Sequence, residues 1–451
     1  MSRTSFWFTV VLTLAAITGM RGAHAGAPER PNVVLILADD LGAECLGCYG
    51  GRSYQTPNLD RLAGEGMRFD RCYALPVCSP SRAELLTGRY SFRTGITYVI
   101  LPKSPGRLDV ARDRTFVQPL REAGYATCIA GKWHLCLDFL DNPRHVADAG
   151  FDDRYLWRLF RDDAVQRHFW NPELWIDDKR ADELGRGKFG DDLFTDHVLE
   201  FMRAHRDRPF LVYYPMTLMH SQTATGGNYP ASPDVLRPGD DPDRGVEPRQ
   251  KGFAQLLAYT DKLVGRIVQE VDRLGLGERT LILFTGDNGT DRRITSRLGN
   301  RDLRGGKGRL TEAGTRVPLI ARWPGTVAAG EVAEELVDFT DFCPTILEAA
   351  GLKLPAGYEI DGHSFLARLE GRPGPAREWV YRHYLNAWFI RDAACRLDSN
   401  GKLWDLAIDP YAPKPAADGP EAAQARERLA AAVAALHGDV DRRKGAGGSR
   451  D

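Results

Sequence analysis

The chain has no excess of basic charge, no second long hydrophobic run and no internal repeat, and each absence removes a class of function. Its 60 Lys and Arg stand against 61 Asp and Glu, a net charge of −1 at pH 7. Nucleic-acid binding normally draws on a basic surplus, so no nucleic acid is expected as a partner. The long apolar run is Phe6–Ile17; it follows Arg3 and precedes Ala23-His24-Ala25, a small-x-small cleavage pattern. Residues 1–25 therefore read as a secretory signal peptide, which predicts a secreted or periplasmic protein. The run is shorter than the ~20 residues that cross a bilayer, so no stable membrane span is expected. Loss of Arg3 and Arg21 with that segment leaves 58 basic and 61 acidic side chains, a net −3.

Two familiar metal and phosphate patterns are missing as well. Cys45-x-x-Cys48 has no second Cys/His pair at finger-like spacing, which makes it a poor zinc site. Arg304-Gly305-Gly306-Lys307-Gly308 lacks both the Ser/Thr after the lysine and the first spaced glycine of a P-loop.

What is present is an alternation of buried strands and amphipathic helices. Asn32–Leu37, Phe210–Tyr214 and Leu281–Thr285 are unbroken Val/Ile/Leu/Phe-rich runs, the pattern of strands covered on both faces. Leu59–Glu65, Asp192–Ala204 and Phe253–Leu274 read as helices, the last with Leu256, Leu257, Thr260, Leu263, Val264, Ile267 and Val271 on one face. The order predicts an α/β fold with a doubly wound, mostly parallel sheet flanked by helices over residues 28–370. Gln222–Gln250, rich in Gly, Pro and Asp, reads as a long loop. Residues 371–441 carry short runs (Trp379–Tyr384, Trp388–Arg391, Leu403–Leu406) and an alanine-rich helix, Ala422–Leu436. These predict a smaller C-terminal antiparallel sheet plus helix, with residues 442–451 a disordered tail.

Ligands of doubly wound sheets bind at the carboxyl ends of the strands, and the chemistry-bearing residues cluster there. Asp39-Asp40 follows the first strand and Asp287-Asn288 follows another. Adjacent carboxylates at a buried strand end repel unless a cation relieves them, and all-oxygen donors suit Ca²⁺ or Mg²⁺. A lone Asp-Asp is more often a cap or a solvated turn; the matching Asp-Asn pair argues for a metal site. Lys132 and His134, two apart, can share one side of an extended segment and reach one anion. Cys78-Ser79-Pro80-Ser81-Arg82 places a cysteine at a helix start, with Pro80 in the first turn and Gly88 to close the helix. There the free N–H groups and Arg82 favour an oxyanion. The plain alternative is a buried thiol or a disulfide. Of the basic cluster Arg301, Arg304, Lys307, Arg309 and Arg316, the arginines can as well be a solvated face or structural. Tyr155, Trp157, Phe160, Phe169, Trp170 and Trp175 are more often core than a sugar-stacking wall.

Cys78-Ser79-Pro80-Ser81-Arg82 with Leu86-Thr87-Gly88, followed by Gly124-Tyr125-Ala126-Thr127-Cys128-Ile129-Ala130-Gly131-Lys132-Trp133-His134, resembles the paired signatures of the type I, formylglycine-dependent sulfatases. That family is arylsulfatase-like and belongs to the alkaline phosphatase superfamily. The resemblance runs from about Pro31 to Pro324. It implies an alkaline-phosphatase-like fold and a sulfatase that cleaves sulfate monoesters, most fittingly of sulfated carbohydrates, or aryl sulfates. It also implies conversion of Cys78 to formylglycine by a maturation enzyme, and one Ca²⁺ per chain held by Asp39, Asp40, Asp287, Asn288 and the modified Cys78. Carried over in the same way, Lys132 and Lys307 contact sulfate, while His134 holds and activates a formylglycine hydroxyl; in the mechanism this suggests, Arg82 and His220 also bind the substrate, and His220 or Lys307 protonates the departing alcohol. His220 departs from the family pattern in having Gln222, not proline, two residues on. Tyr411-Ala412-Pro413 likewise replaces the usual acidic and asparagine positions after Asp409-Pro410. Setting Cys78 aside leaves seven cysteines, so at least one is free or pairs between chains; buried thiols or a single bridge are expected. Two other readings share these residues: a phosphomonoesterase or phosphonate hydrolase of the same superfamily, and a non-catalytic binder of sulfated glycans.

Overall fold

The structure is a computed structural model and describes residues 30–101, 106–137, 139–158, 167–222, 225–242, 244–354 and 357–446. The signal segment 1–25 and Phe160 lie outside the described residues. In chain order the strands are β1 Asn32–Ala38, β2 Met67–Tyr73, β3 Ala126–Lys132, β4 Asp153–Trp157, β5 Leu174–Ile176, β6 Lys179–Arg180, β7 Phe210–Pro215, β8 Thr280–Gly286, β9 Thr295–Leu298, β10 Arg301–Arg304, β11 Arg316–Arg322 and β12 Glu331–Asp338. Ten of these join one sheet in the order β12-β2-β11-β8-β1-β7-β3-β4-β5-β6, and β9 and β10 form a separate hairpin.

The centre of the sheet is parallel, as the apolar runs predict. β8, β1, β7 and β3 pair in parallel and are buried along their whole length. The periphery is mixed: β11 runs antiparallel to both its neighbours, and β5 and β6 add an antiparallel edge. That edge turns at Asp177 and Asp178, whose φ values of 44° and 67° make the tight two-residue turn a hairpin needs.

Helices α1 Pro57–Gly64, α2 Cys78–Thr87, α3 Gly190–Ala204, α4 Arg249–Arg273 and α5 Phe342–Ala349 flank the sheet. α4 buries the apolar face read from its spacing and packs against α1 and α3. Asp261 of α4 caps α1 from outside, its carboxylate accepting the Asn58 and Leu59 N–H groups at 3.1 and 2.8 Å. The loop from Gln222 ends where α4 begins, at Arg249.

A second, antiparallel sheet follows in chain order: β13 Val380–Tyr384, β14 Ala387–Arg391, β15 Cys395–Asp398, β16 Leu403–Asp405 and β17 Lys414–Pro415. Leu429 and Val433 of the terminal helix, α6 Pro420–Ala446, pack over its Tyr381 and Leu397. α6 spans Pro420–Ala446 and so takes in Arg442–Ala446, the start of the stretch expected to be disordered. Tyr411, at the departing C-terminal turn, stacks on Arg301 and Arg316 at 4.9 and 5.6 Å.

A buried ionic knot joins this second sheet to α2. Arg382 of β13 donates to Glu84 of α2 at 2.9 Å and also pairs with Asp338, all three side chains having no exposed surface. All eight cysteines are free thiols. Among the described residues no helix is long and apolar enough to cross a membrane.

Candidate active site

Register brings the acidic residues together. β1 and β8 are parallel neighbours with Ala38 opposite Gly286, so the residues that follow each strand land side by side. One oxygen each from Asp39, Asp40 and Asp287 lie within 4.8 Å of one another, all buried. Burial pushes Asp40 up to about 7, with Lys307 opposing and Asp39 and Asp287 adding to the rise. Burial and Asp39 also raise Asp287. Asp39 is likewise desolvated, but Lys132, His220 and Arg82 hold it below the usual carboxylate range. Asp39 Oδ1 and Asn288 Oδ1 are buried with no hydrogen-bond partner. Orphaned acceptors beside crowded carboxylates are what a hard cation relieves, so this donor set fits Ca²⁺ or Mg²⁺.

Cys78 opens α2 behind Val77, whose extended backbone (φ −145°, ψ 157°) turns the chain into the helix. Gly88 closes it at φ 68°, where an added Cβ would also press on Cys343 at 3.0 Å. The serines of the motif fix the approach to the helix. Ser81 Oγ accepts from Leu75 N at 3.0 Å, and Ser79 Oγ accepts from Ile100 N at 3.1 Å.

His134 stands over the thiol, with Nδ1 3.1 Å from Cys78 Sγ and Nε2 3.0 Å from the Ile100 carbonyl oxygen. A carbonyl only accepts, so Nε2 carries the hydrogen and Nδ1 is an acceptor aimed at residue 78. Burial, with Lys132 and Arg82 nearby, holds His134 well below its ordinary pKa and hence neutral. Both His134 (φ 55°) and Asp40 (φ 60°) sit in the left-handed region, a strained backbone that concentrates at functional sites. Burial raises the Cys78 thiol, with Lys132 opposing and Asp39 adding. An unmodified thiol here is protonated and a weak nucleophile.

Lys132 Nζ meets Asp39 Oδ2 at 2.5 Å, and Lys307 Nζ meets Asp40 Oδ1 at 2.6 Å. Cys78, Lys132, His134, His220 and Lys307 all line one cavity of about 610 Å³. Arg82 does not, which corrects its expected role as a direct sulfate contact. It is fully buried; Nε and Nη2 donate to Asp287 Oδ2 at 3.1 and 2.7 Å, and Nη1 to the Lys132 carbonyl at 2.7 Å. With its donors engaged inside the protein, Arg82 positions Asp287 and the end of β3.

His220 reaches the cavity even though the proline is missing, and Gln222 holds its loop. Its Oε1 accepts from His168 N and Phe169 N at 3.0 and 3.1 Å, stitching the His220 loop to a neighbouring segment. His220 Nδ1 is 2.8 Å from the Ser221 carbonyl oxygen, so Nδ1 bears hydrogen and Nε2 is the ring nitrogen without a described partner. Of the basic cluster 301–316, Lys307 alone lines the cavity; Arg301 pairs with Asp409 and Arg316 lies against Tyr411. Trp157 belongs to the cavity wall, whereas Phe169 and Trp175 are core. Tyr98, Ile100, Arg292 and Tyr384 are wall residues that sequence reasoning missed.

A second mixed group, Cys128, Asp153 and His197, lies near the other end of β3. Asp153 Oδ1 accepts from both partners, at 3.8 Å from Sγ and 2.5 Å from Nε2, so these groups satisfy one another without an ion.

The family model for sulfatases matches residues 31–352. Human (Homo sapiens) arylsulfatase A is 34% identical over 405 residues, covering 82% of this chain and 73% of that protein. Rat (Rattus norvegicus) N-acetylgalactosamine-6-sulfatase is 32% identical over 374 residues, covering 79% and 68%. A structure from work on glycosaminoglycan metabolism by Bacteroides thetaiotaomicron superposes with a TM-score of 0.71 at 24% identity, covering 90% of this chain and 99% of its own.

Proposed function

The chain belongs to the sulfatase family and is a sulfuric ester hydrolase, and we propose that it acts through formylglycine made from Cys78 beside a bound Ca²⁺. The observation that carries this reading is Cys78 at the floor of a cationic cavity, 3.1 Å from an acceptor nitrogen of His134 and under the field of Asp39 and Asp287. A buried, protonated thiol has little use there as a nucleophile. The hydrated aldehyde supplies two hydroxyls on one carbon, one to attack sulfur and one to expel sulfate afterwards.

The remaining work falls to the chain's own residues. His134 Nδ1 is placed to take a proton from the oxygen that replaces sulfur at position 78. Asp39, Asp40, Asp287, Asn288 and residue 78 would hold Ca²⁺, which supplies positive charge against the ester's oxygens. Lys132 and Lys307 present ammonium groups to the same anion, and Arg82 keeps Asp287 and the Lys132 backbone in place. His220 Nε2 protonates the departing alcohol; an anion in the cavity favours the charged imidazole that this step requires.

The substrate we infer is a sulfated carbohydrate. The cavity is far larger than a sulfate ion, and Trp157, Tyr98 and Tyr384 give it aromatic faces and hydroxyls suited to a sugar ring. The name of the rat relative supports a sugar ester, and that of the human relative supports an aryl one. The reading places the protein outside the cytoplasm, through the signal segment, with a formylglycine-generating enzyme as its maturation partner. The test is side-by-side turnover of sulfated mono- and disaccharides, an aryl sulfate and matched phosphate esters. Sulfate should be preferred and Cys78→Ala should be inert; retained sulfatase activity in Cys78→Ala, or a preference for phosphate, overturns the reading.

A further inference from the structure

Among the described residues, the Lys and Arg side chains lining the cavity are matched with carboxylates, except at one position. Lys132 is held by Asp39 and Lys307 by Asp40. Arg293, at the mouth, is held by Asp291 and donates to Ser221 Oγ at 2.9 Å. Arg292 lines the same cavity, is exposed, and pairs with no carboxylate among the described residues.

Its backbone is nonetheless fixed. Asp291, Arg292 and Arg293 form the turn after β8: Ile294 N donates to Asp291 O at 2.9 Å, Ile294 is buried, and Arg304 Nε donates to the Arg292 carbonyl at 2.6 Å. Tyr98 and Tyr384 line the same cavity, their ring centroids 5.6 Å apart, and Tyr384 lies within the field of Arg292. A guanidinium with no carboxylate partner among the described residues, carried on a fixed turn and lining the same cavity of about 610 Å³ as two phenols, is a recognition element for an oxyanion. Lys132, His134 and Lys307 already gather around residue 78, where the ester being cleaved sits, which leaves Arg292 for a second anion.

We propose that Arg292 forms an anion subsite, selecting sulfated substrates that carry a second negative group, a carboxylate or another sulfate, beside the ester to be hydrolysed. The inference rests on the sulfatase reading above and narrows it to polyanionic saccharides. The second anion completes a charge balance that a neutral sugar leaves open at the mouth. No covalent step is added; the subsite acts on binding and orientation.

The experiment compares Arg292→Gln and Arg292→Lys with the parent enzyme on three substrates: a monosulfated neutral sugar, a disulfated sugar, and a sulfated disaccharide containing a uronic acid. Loss of one charged hydrogen-bond donor should cut the preference for a dianionic over the monosulfated substrate by about 10- to 100-fold in Arg292→Gln. Arg292→Lys should recover part of it, and the preference of the parent should fall as salt rises. Whichever dianionic arm carries the effect identifies the anion as carboxylate or sulfate. A preference that Arg292→Gln leaves unchanged, or that the parent never shows, overturns the subsite. The same comparison, read as binding of each saccharide to the inactive Cys78→Ala protein with and without Arg292→Gln, scores the subsite independently of turnover. Loss of turnover on every ester by the parent would instead count against the function itself.

Discussion

Arg382→Met removes the cation that joins Glu84 of the catalytic helix to Asp338, deep beneath the second sheet. Burial pushes Glu84 up to about 8, while Arg382 and Arg377 more than offset burial at Asp338 and hold it below its ordinary range, so Asp338 is the firmly ionised partner. Stranding a buried carboxylate by removing its counter-charge costs about 3–5 kcal/mol. At roughly 2.1 cal/mol/K per residue over ~400 folded residues, the unfolding entropy is ~0.85 kcal/mol/K, so the midpoint should fall by about 4–6 °C. The sign of the pH dependence follows. Removing Arg382 takes away the largest charge opposing burial at both acids, so both folded pKa values rise relative to the parent, and an acid raised in this way costs stability increasingly as pH rises. The deficit of Arg382→Met should therefore be larger at pH 8 than at pH 5 and should shrink when Glu84→Gln and Asp338→Asn are added. Differential scanning calorimetry at the two pH values is the assay. A midpoint shift under about 1 °C, or a deficit that grows toward acid, would refute the idea that this knot anchors α2.

Other perturbations probe the site itself. Gln222→Ala strips two backbone N–H groups of their acceptor, which should lower kcat/KM by about tenfold while the overall fold persists; steady-state kinetics with circular dichroism as control decides it, and unchanged kinetics sinks the role. Asp191, pushed up to about 7 by burial and bonded to Thr217 and Tyr214 behind the His220 loop, should make the parent less stable as pH rises from ~4 through 7. Asp191→Asn should flatten that slope in urea titrations, and a slope that persists rejects the assignment. Chelation by EGTA should lower both activity and midpoint, with Ca²⁺ restoring both; a protein indifferent to chelator and added Ca²⁺ would remove the metal from the account.

Much of this was legible in the chain because the determinants are local. Unbroken apolar runs suit doubly covered strands, and the parallel register of β1 and β8 then sets Asp39-Asp40 beside Asp287-Asn288. The Cys78 helix was readable from Pro80 and Gly88 in the same way. Arg82 was misread because a motif gives a side chain's neighbourhood but not how many of its donors the interior consumes. The edge strands β5 and β6 escaped notice, being three and two residues long, and β12 carries Glu331, Glu334 and Glu335 in place of apolar alternation. Arg292, Tyr98 and Tyr384 come from three separated segments and meet only in the folded chain, so no spacing announces them.

The central claim concerns the chemical state of residue 78, and mass spectrometry of the peptide that carries it, read against turnover on the same preparations, tests it most directly. Activity should rise in proportion to the fraction of chains bearing an aldehyde and vanish where the thiol is intact. Full sulfate ester turnover by protein whose residue 78 is entirely cysteine would contradict it.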